Sequence, residues 1–159
     1  MLNGKTRPLR AYSVGFILLL CAIFAGFANI SRASNITEYG LPNGGSRPAT
    51  IVYGADNFYW VAGFQTGQII RITPTNGAMK AYGIPSSASY PFGLLSLGTN
   101  IWFTEYGANK IGLLYTNTDT GSGDHTFKEF PIHASNNTGI LCGPAGMTLG
   151  PDGNLWFVE

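Results

Sequence analysis

Ile101-Trp102-Phe103-Thr104-Glu105 is the stretch from which the rest of this 159-residue chain is read. A variant, Leu155-Trp156-Phe157-Val158-Glu159, lies at the far end, and a degraded copy, Tyr59-Trp60-Val61-Ala62-Gly63, lies earlier. The chain has three tryptophans, and each falls in the same slot of this unit. Tryptophan and the residue after it point to opposite faces of a strand. A strand with large side chains on both faces needs cover on both sides.

The surroundings of the unit repeat as well. Ile36-Thr37-Glu38-Tyr39-Gly40-Leu41-Pro42 is echoed by Met79-Lys80-Ala81-Tyr82-Gly83-Ile84-Pro85 and by Phe127-Lys128-Glu129-Phe130-Pro131-Ile132. Pro48, Pro91 and Pro144 each lead a short apolar run. Turns rich in Gly and Asp or Asn follow: Gly54-Ala55-Asp56-Asn57, Gly98-Thr99-Asn100 and Gly150-Pro151-Asp152-Gly153-Asn154. Such residues tolerate the positive backbone angles of tight hairpins. The tryptophan strand comes next, then a further turn, then Gln68-Ile69-Ile70-Arg71-Ile72 or Lys110-Ile111-Gly112-Leu113-Leu114. The Tyr-x-Leu-Pro type of strand closes each unit. No amphipathic helix of useful length appears.

Four antiparallel strands in a unit of about 42 residues predict an all-β fold, a β-propeller of four-stranded blades. The tryptophans are 42 and 54 residues apart, and insertions around 116–124 and before Pro144 account for the longer step. The repeats run approximately 36–78, 79–126 and 127–159. Trp60, Trp102 and Trp156 are expected to be packing between blades. Each can bury about 150–250 Å², which at roughly 25 cal/mol per Å² is on the order of 4–6 kcal/mol as an upper bound.

Residues 1–33 differ in kind. Lys5, Arg7 and Arg10 precede an uncharged run from Ala11 to Ala28, and Ser31-Arg32-Ala33 offers small residues for cleavage after Ala33. This is the pattern of a secretory signal, so residues 34–159 are expected to be secreted or extracytoplasmic. The alternative is a single-pass anchor with the propeller outside, since the uncharged run just reaches spanning length. A membrane is a partner only in that case. Leu20 is not small, so Cys21 does not read as a lipidation site. Cys142 is then the one cysteine of the exported part, which excludes an internal disulfide and reads most simply as a free thiol.

Charge excludes one class of partner. The chain totals +1, but four of its nine basic residues lie in the leader. The exported part carries five basic and eight acidic residues. That is no footprint for nucleic acid.

Gly150-Pro-Asp-Gly-Asn-Leu-Trp-Phe-Val-Glu159, Ile101-Trp-Phe-Thr-Glu-Tyr-Gly-Ala-Asn-Lys-Ile-Gly112 and Ile36-Thr-Glu-Tyr-Gly-Leu-Pro42 resemble the signature of the virginiamycin B lyase (streptogramin lyase) family. The resemblance spans nearly all of 36–159. It implies a seven-bladed propeller that linearises streptogramin B-type cyclic depsipeptides by elimination at an ester, with magnesium. The family's catalytic histidine and metal-binding carboxylates lie in later blades, so the resemblance assigns no catalytic residue here and leaves the metal ligands unknown. The chain departs from the motif at Gly63, where the family has Glu, and at the shortened turn of Gly98. The alternative is a non-catalytic extracellular propeller of the NHL type that binds protein, peptide or glycan.

The strand count supports a fragment. Taking 36–42 as an outer strand gives eleven strands, with the last unit unfinished. Propellers close with four to eight blades, so the full protein is expected to continue for about four more.

Candidate chemistry is sparse. Glu105 and Glu159 occupy equivalent slots, and strand ends in a propeller face the mouths of the channel. Two carboxylates there could bind a metal or a cationic ligand, but a solvated carboxylate or a turn hydrogen bond is the plainer expectation. His125 and His133 lack metal-ligand spacing and read as surface residues. Asn117–Asp124 is faintly like a calcium loop but lacks the distal Glu, so a polar hairpin loop is expected. No phosphate loop, dinucleotide fingerprint or nucleophile elbow is present.

Overall fold

The computed structural model describes residues 36–118, 126–133 and 142–159. The leader, His125, most of the 117–124 loop and the insertion before Cys142 lie outside the described residues. Among the described residues there are ten strands, all between Tyr39 and Glu159. The first sheet contains β1 (Pro48–Tyr53), β2 (Tyr59–Gly63), β3 (Gln68–Ile72) and β4 (Met79–Gly83). The second contains β5 (Pro91–Leu97), β6 (Asn100–Glu105), β7 (Lys110–Tyr115) and β8 (Thr126–Pro131). β9 (Met147–Leu149) and β10 (Leu155–Phe157) form a two-stranded sheet.

Each four-stranded sheet is a simple antiparallel meander in sequence order. The register is regular from the second strand outward, with Trp60 opposite Arg71 and Trp102 opposite Leu113. It slips only in the first strands, between Pro48 and Ile51 and between Pro91 and Leu94. The same slip at the same place in both sheets is a bulge built into the repeat. Among the first strands, β1 neighbours β5 and β5 neighbours β9. The sheets therefore stack face to face around a common inner edge, as blades do.

The strand expected over 36–42 is not formed. A strand needs an edge to pair with, and no described strand offers one there.

The core lies between the first two blades. Trp60, Ala62, Ile69, Tyr82 and Ile84 from one meet Leu94, Ile101, Phe103 and Leu114 from the other. Trp60 from one blade and Phe103 from the next thus share one buried cluster, as opposite-facing neighbours in the motif require. Phe103 is fully buried, and Phe127 meets its ring edge-on at 6.0 Å. Trp102 points the other way and stacks on Phe130, with ring centroids 5.7 Å apart.

The turn before the tryptophan has a specific task. The Asp56 carboxylate accepts hydrogen bonds from the Trp60 indole N–H at 3.1 and 3.2 Å, and Asp152 accepts one from Trp156 at 3.1 Å. Gly54 and Gly150 leave room for those indoles, since a Cβ at either would stand 2.9 or 2.3 Å from the ring nitrogen. The second blade, whose turn is two residues shorter, has no aspartate in this slot. Its tryptophan relies on the stack with Phe130 instead.

Thr104 ties the second blade to the third. It is fully buried, its Oγ1 accepts from Gly93 N at 2.8 Å, and its hydroxyl donates to Ala145 O at 2.7 Å. Gly93 allows this approach because a Cβ there would stand 2.3 Å from Ala145 O. Thr104→Val keeps the shape and removes both bonds. It is expected to cost about 2–4 kcal/mol, one desolvation penalty for each group left unpaired. Urea denaturation of the variant measures this.

Candidate ligand-binding mouth

One end of the sheets carries the turns after β2 and β6 and the linker from β4 to β5. Four aromatic residues converge there. Phe64 and Tyr106 follow the last residues of β2 and β6, and Tyr90 and Phe92 flank Pro91. Phe64 stacks on Tyr90 at 5.3 Å, meets Phe92 edge-on at 6.2 Å, and lies 6.4 Å from Tyr106. Phe92 and Tyr106 stay 40% and 48% exposed. Exposed rings gathered from two blades form a surface suited to flat apolar groups. The residue types alone do not single these four out. The signal available in the sequence was an aromatic in the slot just after the motif in two successive repeats.

Behind this surface lies a polar cluster. Lys110 opens β7 directly opposite Glu105, and β8 places Glu129 beside it. The Lys110 ammonium lies 2.8 Å from Glu129 Oε2 and donates to Ser86 Oγ at 2.6 Å. The Ser86 backbone N–H donates to Glu129 Oε1 at 3.0 Å. Two blade strands, β7 and β8, and the linker are thus tied at one point. The first blade lacks the charges, having Gly63, Gln68 and Ala81 in the same register.

Glu105 is not solvated. It is fully buried, and neither carboxylate oxygen has a hydrogen-bond partner of ordinary geometry. Burial and then the neighbouring Glu129 charge raise its pKa to about 7, with Lys110 and the nearby Ser86 hydroxyl acting in the opposite direction. Burial also pushes Glu129 upward, but its hydrogen bonds from Lys110 and Ser86 outweigh that and leave its pKa lowered. Lys110 is raised, first by its hydrogen bond to Glu129. Below about pH 7, these shifts describe a neutral Glu105 beside an ionised Glu129–Lys110 pair.

Glu159 is exposed and lies apart from this cluster in the third blade. It accompanies Cys142, whose thiol is pushed up by a hydrogen bond with the Glu159 carboxylate. A raised thiol pKa is opposite to what a nucleophile needs. The Cys142 backbone N–H donates to Asn109 Oδ1 at 3.1 Å, so the segment is anchored to the turn after β6. His133 is exposed. Trp60 is fully buried, Trp102 half-buried and Trp156 58% exposed. The two expected mouth carboxylates are thus in different settings, one sealed under the linker and one open to water. Among the described residues no three His, Cys, Asp or Glu side chains gather as metal ligands. With Lys110 already neutralising Glu129, this cluster does not fit magnesium.

Two meander sheets and the start of a third, stacked around a shared inner edge, define consecutive blades of a β-propeller. The chain belongs to the virginiamycin B lyase family, whose profile matches residues 25–138. The selenomethionine form of virginiamycin B lyase from Staphylococcus aureus is 36% identical, with a TM-score of 0.65 over 79% of this chain and 39% of that one. A catalytically inactive histidine-to-alanine variant of the S. aureus lyase, solved with quinupristin, is 32% identical, with a TM-score of 0.66 over 82% of this chain and 40% of that one. No curated protein matches. The chain spans about two fifths of the length of these solved relatives.

Proposed function

We propose that this chain is the N-terminal part of an exported propeller lyase that opens streptogramin B-type cyclic depsipeptides at their ester. The observation that carries this reading is the 36% identity to virginiamycin B lyase over 79% of the chain. The chemistry is an elimination. A base takes the proton alpha to a carbonyl, the freed electron pair forms a Cα=Cβ double bond, the alkyl C–O bond of the ester at Cβ breaks, and the carboxylate leaves with that bond's electrons. Magnesium, when bound, stabilises the enolate-like charge. The base and the metal ligands come from blades beyond those described. Residues 1–33 serve as the export signal on this reading.

The contribution of this chain is binding. Phe64, Tyr90, Phe92 and Tyr106 offer the depsipeptide ring an apolar surface at the mouth, held rigid by the blade ends and the Lys110 cluster. The experiment is a titration of the chain with quinupristin and magnesium, followed by amide NMR and by mass spectrometry of the ligand. Shifts centred on these four aromatic residues are expected, with no ring opening by this chain alone. Phe92→Ala combined with Tyr106→Ala is expected to weaken binding by about tenfold or more, given roughly 0.5–1.5 kcal/mol per aromatic contact beyond its buried area. Absence of any shift at the mouth at millimolar quinupristin overturns the reading.

A further inference from the structure

The repeat provides its own control for the linkers that lead into each first strand. Pro42–Pro48 and Pro85–Pro91 are equivalent, and their backbones match in the second half, where Gly45 and Ala88 both have positive φ, but differ at Asn43 and Gly44, whose positive φ has no counterpart at Ser86 and Ser87. Arg47 and Tyr90, each just before the proline, have φ of 43° and 45°. Ser46 and Ser89 are both buried, and their carbonyls accept from Gln65 N and Gly107 N, each at 3.0 Å. The side chains then diverge. Ser46 Oγ donates to Pro42 O at 2.9 Å. Ser89 Oγ, 0% exposed, has no partner. A buried hydroxyl left unpaired costs on the order of 1–3 kcal/mol, and a close copy of the same loop shows how it is avoided.

The unpaired hydroxyl lies at a cleft. The turn Gln65–Gly67, the adjoining strand ends Gln68 and Gly83, and the linker through Tyr90 enclose about 430 Å³. Ser89 forms its floor against Gly67, whose absent Cβ would stand 3.1 Å from Ser89 Oγ. Gln65, Gln68, Ser86, Ser87 and Tyr90 are among the residues of the walls, with the Tyr90 ring stacked on Phe64. No carboxylate or ammonium lines it. Behind Ser86, Lys110 is already committed to Glu129.

This lining selects by exclusion. An anion finds no free cation, and a cation finds no carboxylate. An apolar group leaves the Ser89 hydroxyl unpaired. A peptide strand adding to the sheet needs an exposed strand edge, whereas two turns form this cleft. A neutral, rigid ligand with many hydroxyls and one apolar face meets all the conditions. We propose that the cleft between the β2–β3 turn and the β4–β5 linker is a binding site for a neutral sugar unit. Ser89 Oγ and the Gln65 and Gln68 amides hydrogen-bond its hydroxyls, and Tyr90 packs against its C–H face. The site does not depend on the depsipeptide reading.

Amide NMR titrations of the chain with cellobiose and with N,N′-diacetylchitobiose test it. Shifts confined to Gln65–Gln68 and Ser86–Tyr90 are expected with at least one of the two. Ser89→Ala is expected to weaken binding by about fivefold, one net hydrogen bond, while leaving stability unchanged or raised because its hydroxyl has no partner to lose. Gln65→Ala, at an exposed position, gives a second reading of affinity free of folding effects. No shifts at millimolar sugar, shifts centred elsewhere, or unaltered affinity in both variants overturns the proposal.

Discussion

Trp60→Ala is expected to cost about 3–5 kcal/mol, the range for emptying a large aromatic site in a core. The side chain is fully buried between two blades, where it meets Tyr82 at 5.9 Å and its indole N–H donates to Asp56. Truncation therefore removes apolar contact from both blades and takes the indole donor from the half-buried Asp56 carboxylate. Such a loss is a large share of the 5–15 kcal/mol that holds a typical domain folded. Trp156→Ala is the internal control. Trp156 occupies the same slot and makes the same bond to an aspartate, but it is 58% exposed and no described element covers it. Its truncation is expected to cost less than about 1 kcal/mol. Urea melts of both variants, followed by circular dichroism, measure the contrast. Equal costs would show that the motif stabilises each blade by itself, not the junction between blades.

The second large effect is a pH dependence centred on Glu105. Its folded pKa of about 7 lies above the 4.5 of an unperturbed side chain. Between those values the folded protein keeps a proton that the unfolded chain has released. Stability therefore falls as pH rises from about 4.5 to about 7, and levels off above that. A shift of this size corresponds to on the order of 3 kcal/mol at 1.36 kcal/mol per unit. Glu105→Gln removes the ionisation. The variant is expected to show a nearly flat profile across this window, and to gain on the parent at pH 8 relative to pH 5. Denaturation midpoints at the two pH values decide it, and parallel profiles would place the charge of Glu105 in water. The neighbouring pair acts in other windows. The lowered pKa of Glu129 gives stability that is lost only as pH falls below its ordinary range. The raised pKa of Lys110 gives stability that is lost only in alkali.

These two residues show what could and could not be read from the chain. A tryptophan followed by a large residue on a strand declares that both faces need cover, and the repeat declares what the cover is. Trp60 against Phe103 follows from that logic alone. Glu105 sits in the same repeated strand, yet its setting depends on Lys110 across the ladder, on Glu129 one strand further, and on Ser86 in the preceding linker. None of these is near it in a way that spacing reveals, because the cluster is unique to the second blade among those described. The aromatic mouth was partly legible, since Phe64 and Tyr106 fill matching slots. The orphaned Ser89 was not, since Ser46 in the matching slot bonds within its own linker.

By itself, the sequence determined the blade: its four strands, their order, the turns between them and the two-faced tryptophan strand. Those features are local and periodic, and the backbone obeys them in both complete copies of the repeat. The tertiary structure alone decided which copies of the repeated side chains are buried, charged or left without a partner. That depends on contacts between blades, where desolvation and neighbouring charge differ from one copy of the motif to the next.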